Sequence, residues 1–387
     1  MTGKQIRAAV IGTGFIGGVH AEAVRRAGGH VVGVLGSSPQ RAAEPAARLG
    51  VAAYGSMREL LEDESVDVVH IASPNALHAQ QAAAVLDAGK HVICEKPLTT
   101  TLAEARELHA LAERRGLVNA VCYNLRFYPL VHEAASRVAS GDLGTLRLVT
   151  GSYLQDWMLW ETDWNWRIDP ATAGPLRAVA DIGSHWLDAS SFVVGAPIES
   201  VYAQLHTFVP VRQRPTGERE SFAEGSADEA TTPVQVGTDD AAQVLLRYAN
   251  GARGALTVSQ VSAGRKNTMS LQLDGSESAL AWSSESPDEL WLGHRGRPNE
   301  VLHRDPGELA PEAAAITFYP GGHVEGFGET FRGLFERVYA DIARGRPSSR
   351  PAYPTFADGR HGLAVLEAIH ASAAQEVWVD VERMSTS

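Results

Sequence analysis

Two short stretches of this sequence hold residue types suited to moving a proton and steadying an oxyanion. The first is Glu95-Lys96-Pro97, directly after the apolar run His91-Val92-Ile93-Cys94. An ammonium group at the end of a strand hydrogen-bonds a substrate oxygen as it gains negative charge. The proline after it fixes the backbone that aims the lysine. The second is Asp181-Ile182-Gly183-Ser184-His185, a carboxylate and an imidazole four residues apart. On a helix that spacing is one face, and Asp188 continues it by a turn. Imidazole is the natural proton acceptor near neutral pH, and an adjacent carboxylate orients a ring or binds a hydroxyl. Alone, the second stretch also reads as an ordinary helix-face pair. The lysine upstream turns the reading toward chemistry, with Lys96 and His185 expected to converge on one carbon of a substrate.

Those residues need elements to position them. Residues 6–11, 31–35, 66–71, 91–94 and 118–122 read as strands, with helices over 15–27, 39–48, 76–88 and 101–115. Strands alternating with helices imply an α/β class with a doubly wound parallel sheet. The strands are apolar throughout, as burial on both faces requires. Between the first strand and the first helix lies Gly12-Thr13-Gly14-Phe15-Ile16-Gly17. In that context the glycines permit a tight turn, close approach of backbone to a pyrophosphate, and close helix–strand packing. Helix N-terminal amides then hold the phosphates, so the expected ligand is a nicotinamide dinucleotide. After the second strand, Gly36-Ser37-Ser38-Pro39-Gln40-Arg41 offers no carboxylate for a ribose 2′-hydroxyl. Ser37, Ser38 and Arg41 suit a 2′-phosphate, which leans the reading to NADP over NAD. The other reading makes Arg41 a solvated helix residue.

The rhythm changes near residue 145. A strand is expected over 145–154, a helix over 181–194, and mainly strands from 198 to 293, with hairpin turns at Asn250-Gly251 and Asp274-Gly275. Polar residues 211–238 read as a long loop. Helices are expected over 324–344 and 359–376, and a last strand over 377–381. The expected organisation is a dinucleotide-binding domain, 1–123, and a substrate-binding and oligomerisation domain, 124–387. The second is α+β with a large, mostly antiparallel open sheet, and helix 359–376 is placed to pack back on the first.

A length of 387 residues fits two domains. The net charge of −12 argues against nucleic acid or an anionic membrane as the main partner. No apolar run reaches the roughly 18 residues of a membrane span. The N-terminal residues enter the first strand at once and leave no room for a signal peptide, so the expected location is the cytoplasm. Cys94 and Cys122 lie in apolar runs and read as buried and unpaired, and no metal-ligand spacing is present, so no metal is expected.

Other residues carry double readings. Ser73-Pro74-Asn75 with His78 follows the third strand, and either lines the cofactor or only caps a helix. Trp157, Trp160, Trp164 and Trp166 either stack on a sugar face or pack beneath the sheet. Arg167 reaches cofactor or substrate, or forms a surface ion pair. His323 and Glu325 read chiefly as loop and helix cap, with a lesser reading at the substrate.

Together these motifs resemble the Gfo/Idh/MocA oxidoreductase family over nearly the whole chain. The residues that carry the likeness are Gly12–Gly17, Ser73–His78, Gly89–Pro97, Tyr123-Asn124-Leu125-Arg126-Phe127, and Asp181–His185 with Asp188. The resemblance implies a Rossmann domain plus an open-sheet domain whose face makes homodimers or homotetramers. It implies NAD(P)-dependent hydride transfer at a secondary hydroxyl or ketone of a sugar, glycoside or cyclitol, with Lys96, Asp181 and His185 acting together. It brings Phe15, Ile16, Asn75, Glu95, Asn124 and Arg167 to the cofactor beside the glycines, the serines, Pro74, His78 and Arg41. It brings Tyr153, Gln155, Trp166, Arg167, Arg177 and His323 to the substrate. Gly151–Trp157 and Trp166-Arg167 look like sugar dehydrogenases of the levoglucosan or pyranoside-3-dehydrogenase kind. The sequence departs from many relatives at Ala173–Ala180, where they carry a glycine-rich run; Arg177 there either projects into the substrate site or is solvated. Two rival readings remain: a non-catalytic dinucleotide-binding regulator, and an NAD-dependent glycosidase using transient oxidation.

Overall fold

The computed structural model describes residues 5–217 and 230–382. The chain divides into two compact units, Met1–Asn124 with Gly328–Leu363, and Leu125–Phe327 with Ala364–Ser387.

The first unit is built on β1 (Arg7–Ile11), β2 (His30–Leu35), β3 (Ala52–Ala53), β4 (Val68–Ile71), β5 (His91–Cys94) and β6 (Asn119–Val121). They pair in the order β3-β2-β1-β4-β5-β6, every neighbour parallel. Crossovers are α1 (Phe15–Arg26), α2 (Pro39–Leu49), α3 (Met57–Glu62), α4 (His78–Asp87) and α5 (Leu102–Arg115). Local chemistry sets their ends. Thr101 and Glu104 close a capping box on α5, and Gly116 ends it in the left-handed conformation that only glycine adopts freely. The strand order reverses between β1 and β4, the position where such sheets hold ligands at the strands' carboxyl ends. Residues 328–363 also belong to this unit, so the division differs from a linear split at 123/124. Phe331, Phe335 and Tyr339 meet His20 and His70, a contact with no local sequence signal.

The second unit contains α6 (Pro129–Ser140), β7 (Leu146–Leu154), α7 (Pro170–Ala173), α8 (Ser184–Val194), β8 (Ile198–His206), β9 (Val211–Pro215), β10 (Thr231–Gln235), β11 (Ala241–Tyr248), β12 (Arg253–Ser259), β13 (Thr268–Gly275), β14 (Ala279–Ser283), β15 (Glu289–Gly293), β16 (Glu300–His303) and α9 (Pro311–Ala314). Helices α10 (Phe327–Ala343) and α11 (Phe356–Gln375) and strand β17 (Val379–Asp380) complete the chain, and the division into units falls within α11. Nine strands form one sheet in the order β16-β15-β14-β13-β7-β12-β11-β8-β17, antiparallel except at β12–β7. One face buries Val149, Leu246, Leu256, Leu271, Trp282 and Leu290. Helix α8 meets this face through Trp186, whose indole N–H donates to the Ser270 carbonyl at 2.7 Å.

Two expectations change. Residues 211–238 were expected as loop, yet β9 and β10 form an antiparallel ribbon at both ends of that segment; its centre, 218–229, lies outside the described residues. The polar, proline-bearing composition hides the strands, because Arg212 is buried by an ion pair and not by apolar contact. Asp274-Gly275 pairs within β13, and the turn falls at 276–278.

Candidate active site

In the first unit, the turn between β1 and α1 is shaped by steric limits. Gly12 has φ +102°, and a Cβ there would lie 2.3 Å from the Ala72 carbonyl oxygen. A Cβ at Gly17 would lie 2.0 Å from the Gly12 oxygen, whereas nothing lies within 4 Å of one at Gly14. Helix α1 opens with no side chain capping its amides and no acid in its first turn. Open backbone at Gly14 leading into an uncapped N-terminus fits a pyrophosphate. Phe15 is exposed beside it, and Ile16 is half-buried. Ser38 caps α2, its oxygen accepting from the Arg41 amide at 3.3 Å, while Ser37 and Arg41 are exposed and the Thr13 hydroxyl donates to the Arg41 carbonyl.

The ends of β4 and β5 are joined by His78. Its ring nitrogens lie 2.9 Å from both the Pro97 and the Ser73 carbonyl oxygens, and it is fully buried. Burial holds this imidazole below its ordinary pKa, although both carbonyls favour its protonation. With no ring nitrogen presented to a ligand, the expected cofactor contact at His78 is corrected: the side chain fixes the backbone on either side of the site. Ser73 donates to Gln81 Oε1 at 2.6 Å, Pro74 is extended, and Asn75 is buried at the start of a short 3-10 turn. Glu95 is buried and accepts the Lys96 amide at 3.1 Å, while the Lys96 side chain is partly exposed and followed by a cis bond to Pro97. Asn124 is buried, its Nδ2 donating to Thr330 at 2.8 Å.

In the second unit Asp181 lies in a π-helical turn, Val179–Gly183, which runs directly into α8. The π turn runs on into α8, so Asp181 and His185 sit four residues apart, about one turn; such turns cluster at functional sites. Asp239 anchors it, accepting the Arg177 and Val179 amides at 2.6 and 2.8 Å. The Asp181 carboxylate accepts from Arg167 Nε at 3.0 Å and Gln260 Nε2 at 2.8 Å. The Arg167 guanidinium stacks 4.4 Å over the Trp166 ring and also reaches Asn165. His185 is buried 6.5 Å, centroid to centroid, from Tyr153. The Tyr153 hydroxyl and Gln155 Nε2 both donate to Asn267 Oδ1, at 2.8 and 2.7 Å, and Trp157 donates to Gln155 at 2.6 Å. This chain fixes Tyr153, whose phenol pKa burial pushes up, beside the imidazole.

Other residues weighed from the sequence are placed as follows. Arg177 is buried against Asp240, which also pairs with Arg212 at 2.7 Å, so it neither meets solvent nor projects into a site. His323 is exposed on a loop, its carbonyl accepting from Arg304. Asp188 pairs with Arg126 through both oxygens. Trp157 and Trp164 pack on Met158, Ile168 and Val236, and Trp160 is exposed. The sequence reading missed Gln260, Asn267 and Asp239. Each reaches the site by long-range strand pairing, and the only local hint is a run of polar residues, Asp239-Asp240 and Ser259-Gln260, at the ends of apolar strands.

Residues 6–123 match the family described as "Oxidoreductase family, NAD-binding Rossmann fold", and residues 131–281 match "GFO/IDH/MocA C-terminal domain". The chain belongs to the Gfo/Idh/MocA family. Within Gfo/Idh/MocA it is similar to levoglucosan dehydrogenase of Pseudarthrobacter phenanthrenivorans, 32% identical over 357 residues that cover 90% of this chain and 89% of that protein. It is also similar to "D-xylose 1-dehydrogenase (NADP(+)) 2" of Haloferax volcanii, 36% identical over 196 residues, 50% of this chain and 58% of that one. Among solved Gfo/Idh/MocA-like structures, levoglucosan dehydrogenase in complex with NADH and levoglucosan superposes with TM-score 0.86 at 30% identity, covering 98% of this chain and 100% of that one. An inositol dehydrogenase homolog complexed with NAD+ from Azotobacter vinelandii gives TM-score 0.86 at 30% identity, covering 98% of each.

Proposed function

We propose that this chain is an NAD(P)-dependent oxidoreductase that acts on a secondary CH–OH group of a sugar, glycoside or cyclitol, or on the matching ketone. The observation that carries the reading is Asp181, a carboxylate held by Arg167 and Gln260 one turn from His185. The glycine cradle and Lys96, in a chain of this family, support it. A bound nicotinamide accepts or supplies the hydride. The protein's own groups handle the proton and the charge: His185 takes the hydroxyl proton, and Lys96 donates a hydrogen bond to the same oxygen as negative charge develops. Asp181 receives a substrate hydroxyl, and Tyr153 shapes the imidazole's surroundings. Phe15, Ile16 and Gly14 are proposed to line the path of the dinucleotide.

Three finer assignments belong to the same reading. NADP is favoured over NAD, because no carboxylate follows β2 and Ser37 and Arg41 are exposed there. Association into a homodimer or homotetramer is proposed through the outer face of the nine-stranded sheet. Register places Leu148, Tyr202, Leu245, Trp291 and Val301 on that one face, and all but Tyr202 are large exposed apolar side chains. Among the described residues no helix is long and apolar enough to cross a membrane, and a cytoplasmic location is part of the same proposal.

The test is nicotinamide absorbance with NAD and with NADP across levoglucosan, D-xylose, inositols and common glycosides. Reduction with at least one sugar or cyclitol is expected, with larger kcat/KM for NADP. Dinucleotide binding without turnover on any of them would overturn the enzymatic reading.

A further inference from the structure

Behind Glu95 the first unit buries a chain of polar groups that the proposed chemistry does not use. Glu95 Oε1 lies 3.1 Å from His20 Nε2, His20 Nδ1 lies 3.1 Å from His70 Nδ1, and His70 Nε2 lies 2.8 Å from the Tyr339 hydroxyl. Both imidazoles are fully buried. Phe331 and Phe335 of α10 close around the His20 ring at 5.5 and 5.1 Å, and Phe335 lies 4.6 Å from His70.

Proton counting gives this chain a direction. Two facing Nδ1 atoms need one proton between them. Among the described residues the Tyr339 hydroxyl bonds His70 alone, so it donates to Nε2. The His70 proton then sits on Nδ1 and is donated to His20, whose own proton sits on Nε2 and is donated to Glu95. Every link is made once, and only the carboxylate is charged. The opposite polarity needs a proton on Glu95 and leaves the Tyr339 proton without an acceptor. Glu95 also accepts the Lys96 amide and faces the Cys122 thiol, and several donors on one carboxylate favour its ionised form. The surroundings agree. Burial, then His20, holds His70 well below its ordinary pKa, and burial raises Tyr339, Cys94 and Cys122, so each keeps the protonation the chain requires.

We propose that His20, His70 and Tyr339 form a one-way hydrogen-bond relay that locks the Glu95 carboxylate onto the Lys96 backbone, making them positioning residues for the Lys96 ammonium. The role in turnover rests on the proposed function of Lys96; the relay itself does not. His20, Glu95 and Cys122 also offer ligand atoms within 4.8 Å of one another. A metal there would need the His20 Nε2 lone pair, which the relay fills with a proton, so the two arrangements exclude each other.

The experiment has a spectroscopic arm and a kinetic arm. In protein labelled with 15N-histidine, His20 is expected as the Nε2–H tautomer and His70 as Nδ1–H, the latter unchanged from about pH 6 to pH 9. The reverse tautomers, a His70 ring that titrates in that range, or a stoichiometric metal in the purified protein would each overturn the relay. Neither readout needs a substrate, so both stand if Lys96 proves not to be catalytic. Kinetically, Tyr339→Phe should blur the His70 tautomer and lower kcat several-fold with sugar KM and dinucleotide affinity nearly unchanged. His20→Leu should cost more, roughly tenfold to a hundredfold, the range a misplaced catalytic group costs. His20→Gln, which retains an N–H for Glu95, should recover most of that loss. Equal kcat in wild type, Tyr339→Phe and His20→Leu would sink the positioning role, as would a Gln variant no better than Leu.

Discussion

Arg167–Asp181 and Arg177–Asp240 are both arginine–carboxylate pairs, with their arginines ten residues apart in one unit. In the first, the side chains keep 18% and 12% of their exposure, and Gln260 shares the carboxylate. In the second, both side chains are fully buried, and Arg212 shares the carboxylate. Burial pushes the guanidinium pKa of Arg177 down to about 10, with Asp239 and Asp181 opposing, and that of Arg212 to about 10, with Arg177 adding to the effect. The open pair can exchange partners with a ligand; the closed pair has no such freedom. The closed pair nevertheless serves the open one. Asp239 holds the turn that carries Asp181, and the Asp240 carbonyl accepts the Gln260 amide at 2.9 Å. Arg212 ties the carbonyls of Met158, Trp160 and Asp163 to the same cluster.

The comparison is broken most directly at the chemistry. His185→Ala and Lys96→Ala should each lower kcat by roughly 10²–10⁴, the usual worth of general acid–base and oxyanion help, with dinucleotide affinity near wild type. Full turnover in both variants ends the assignment. Next comes the closed cluster. Asp240→Ala leaves two buried guanidinium groups without their shared anion, which costs about 3–5 kcal/mol. The melting temperature should drop by roughly 10 °C, and calorimetry that finds no change would show the cluster to be dispensable. Arg167→Ala should do the reverse. Turnover falls about tenfold through a loosened Asp181, while melting shifts by no more than about 2 °C, because the pair is partly solvated. A large stability loss there would erase the distinction between the two pairs.

The smallest effect is on pH. Burial lowers the folded-state pKa of His70 and His78. Above the unfolded value of about 6.5 both states are neutral and nothing changes. As pH falls below it the unfolded chain binds protons that the folded chain refuses, so stability declines by up to about 1.4 kcal/mol per pH unit for each ring. Urea midpoints at pH 7.5 and 5.5 should show this loss, reduced in His78→Gln; an identical drop in the variant would remove His78 from the account.

The parallel sheet was legible because its strands are short apolar runs punctuated by a glycine turn and helix caps, all local signals. The catalytic candidates were legible for the same reason, since Glu95-Lys96-Pro97 and Asp181–His185 are contiguous. The same local view put Arg177 at the substrate, because nothing near it announces Asp240, 63 residues away. It read β9 and β10 as loop, since the residues they bury are an arginine and a proline, Arg212 and Pro215.

The sequence alone thus determined the type of fold, the dinucleotide turn and the contiguous stretches from which the proton-handling groups are proposed, because each depends on residues close in the chain. Tertiary structure decided which carboxylate each arginine meets, that His78 faces inward, and that Tyr339 reaches His70 across 269 positions. Those outcomes depend on strand pairing and helix docking over long separations. There the electrostatics of a side chain follow from what surrounds it, and not from its neighbours in sequence.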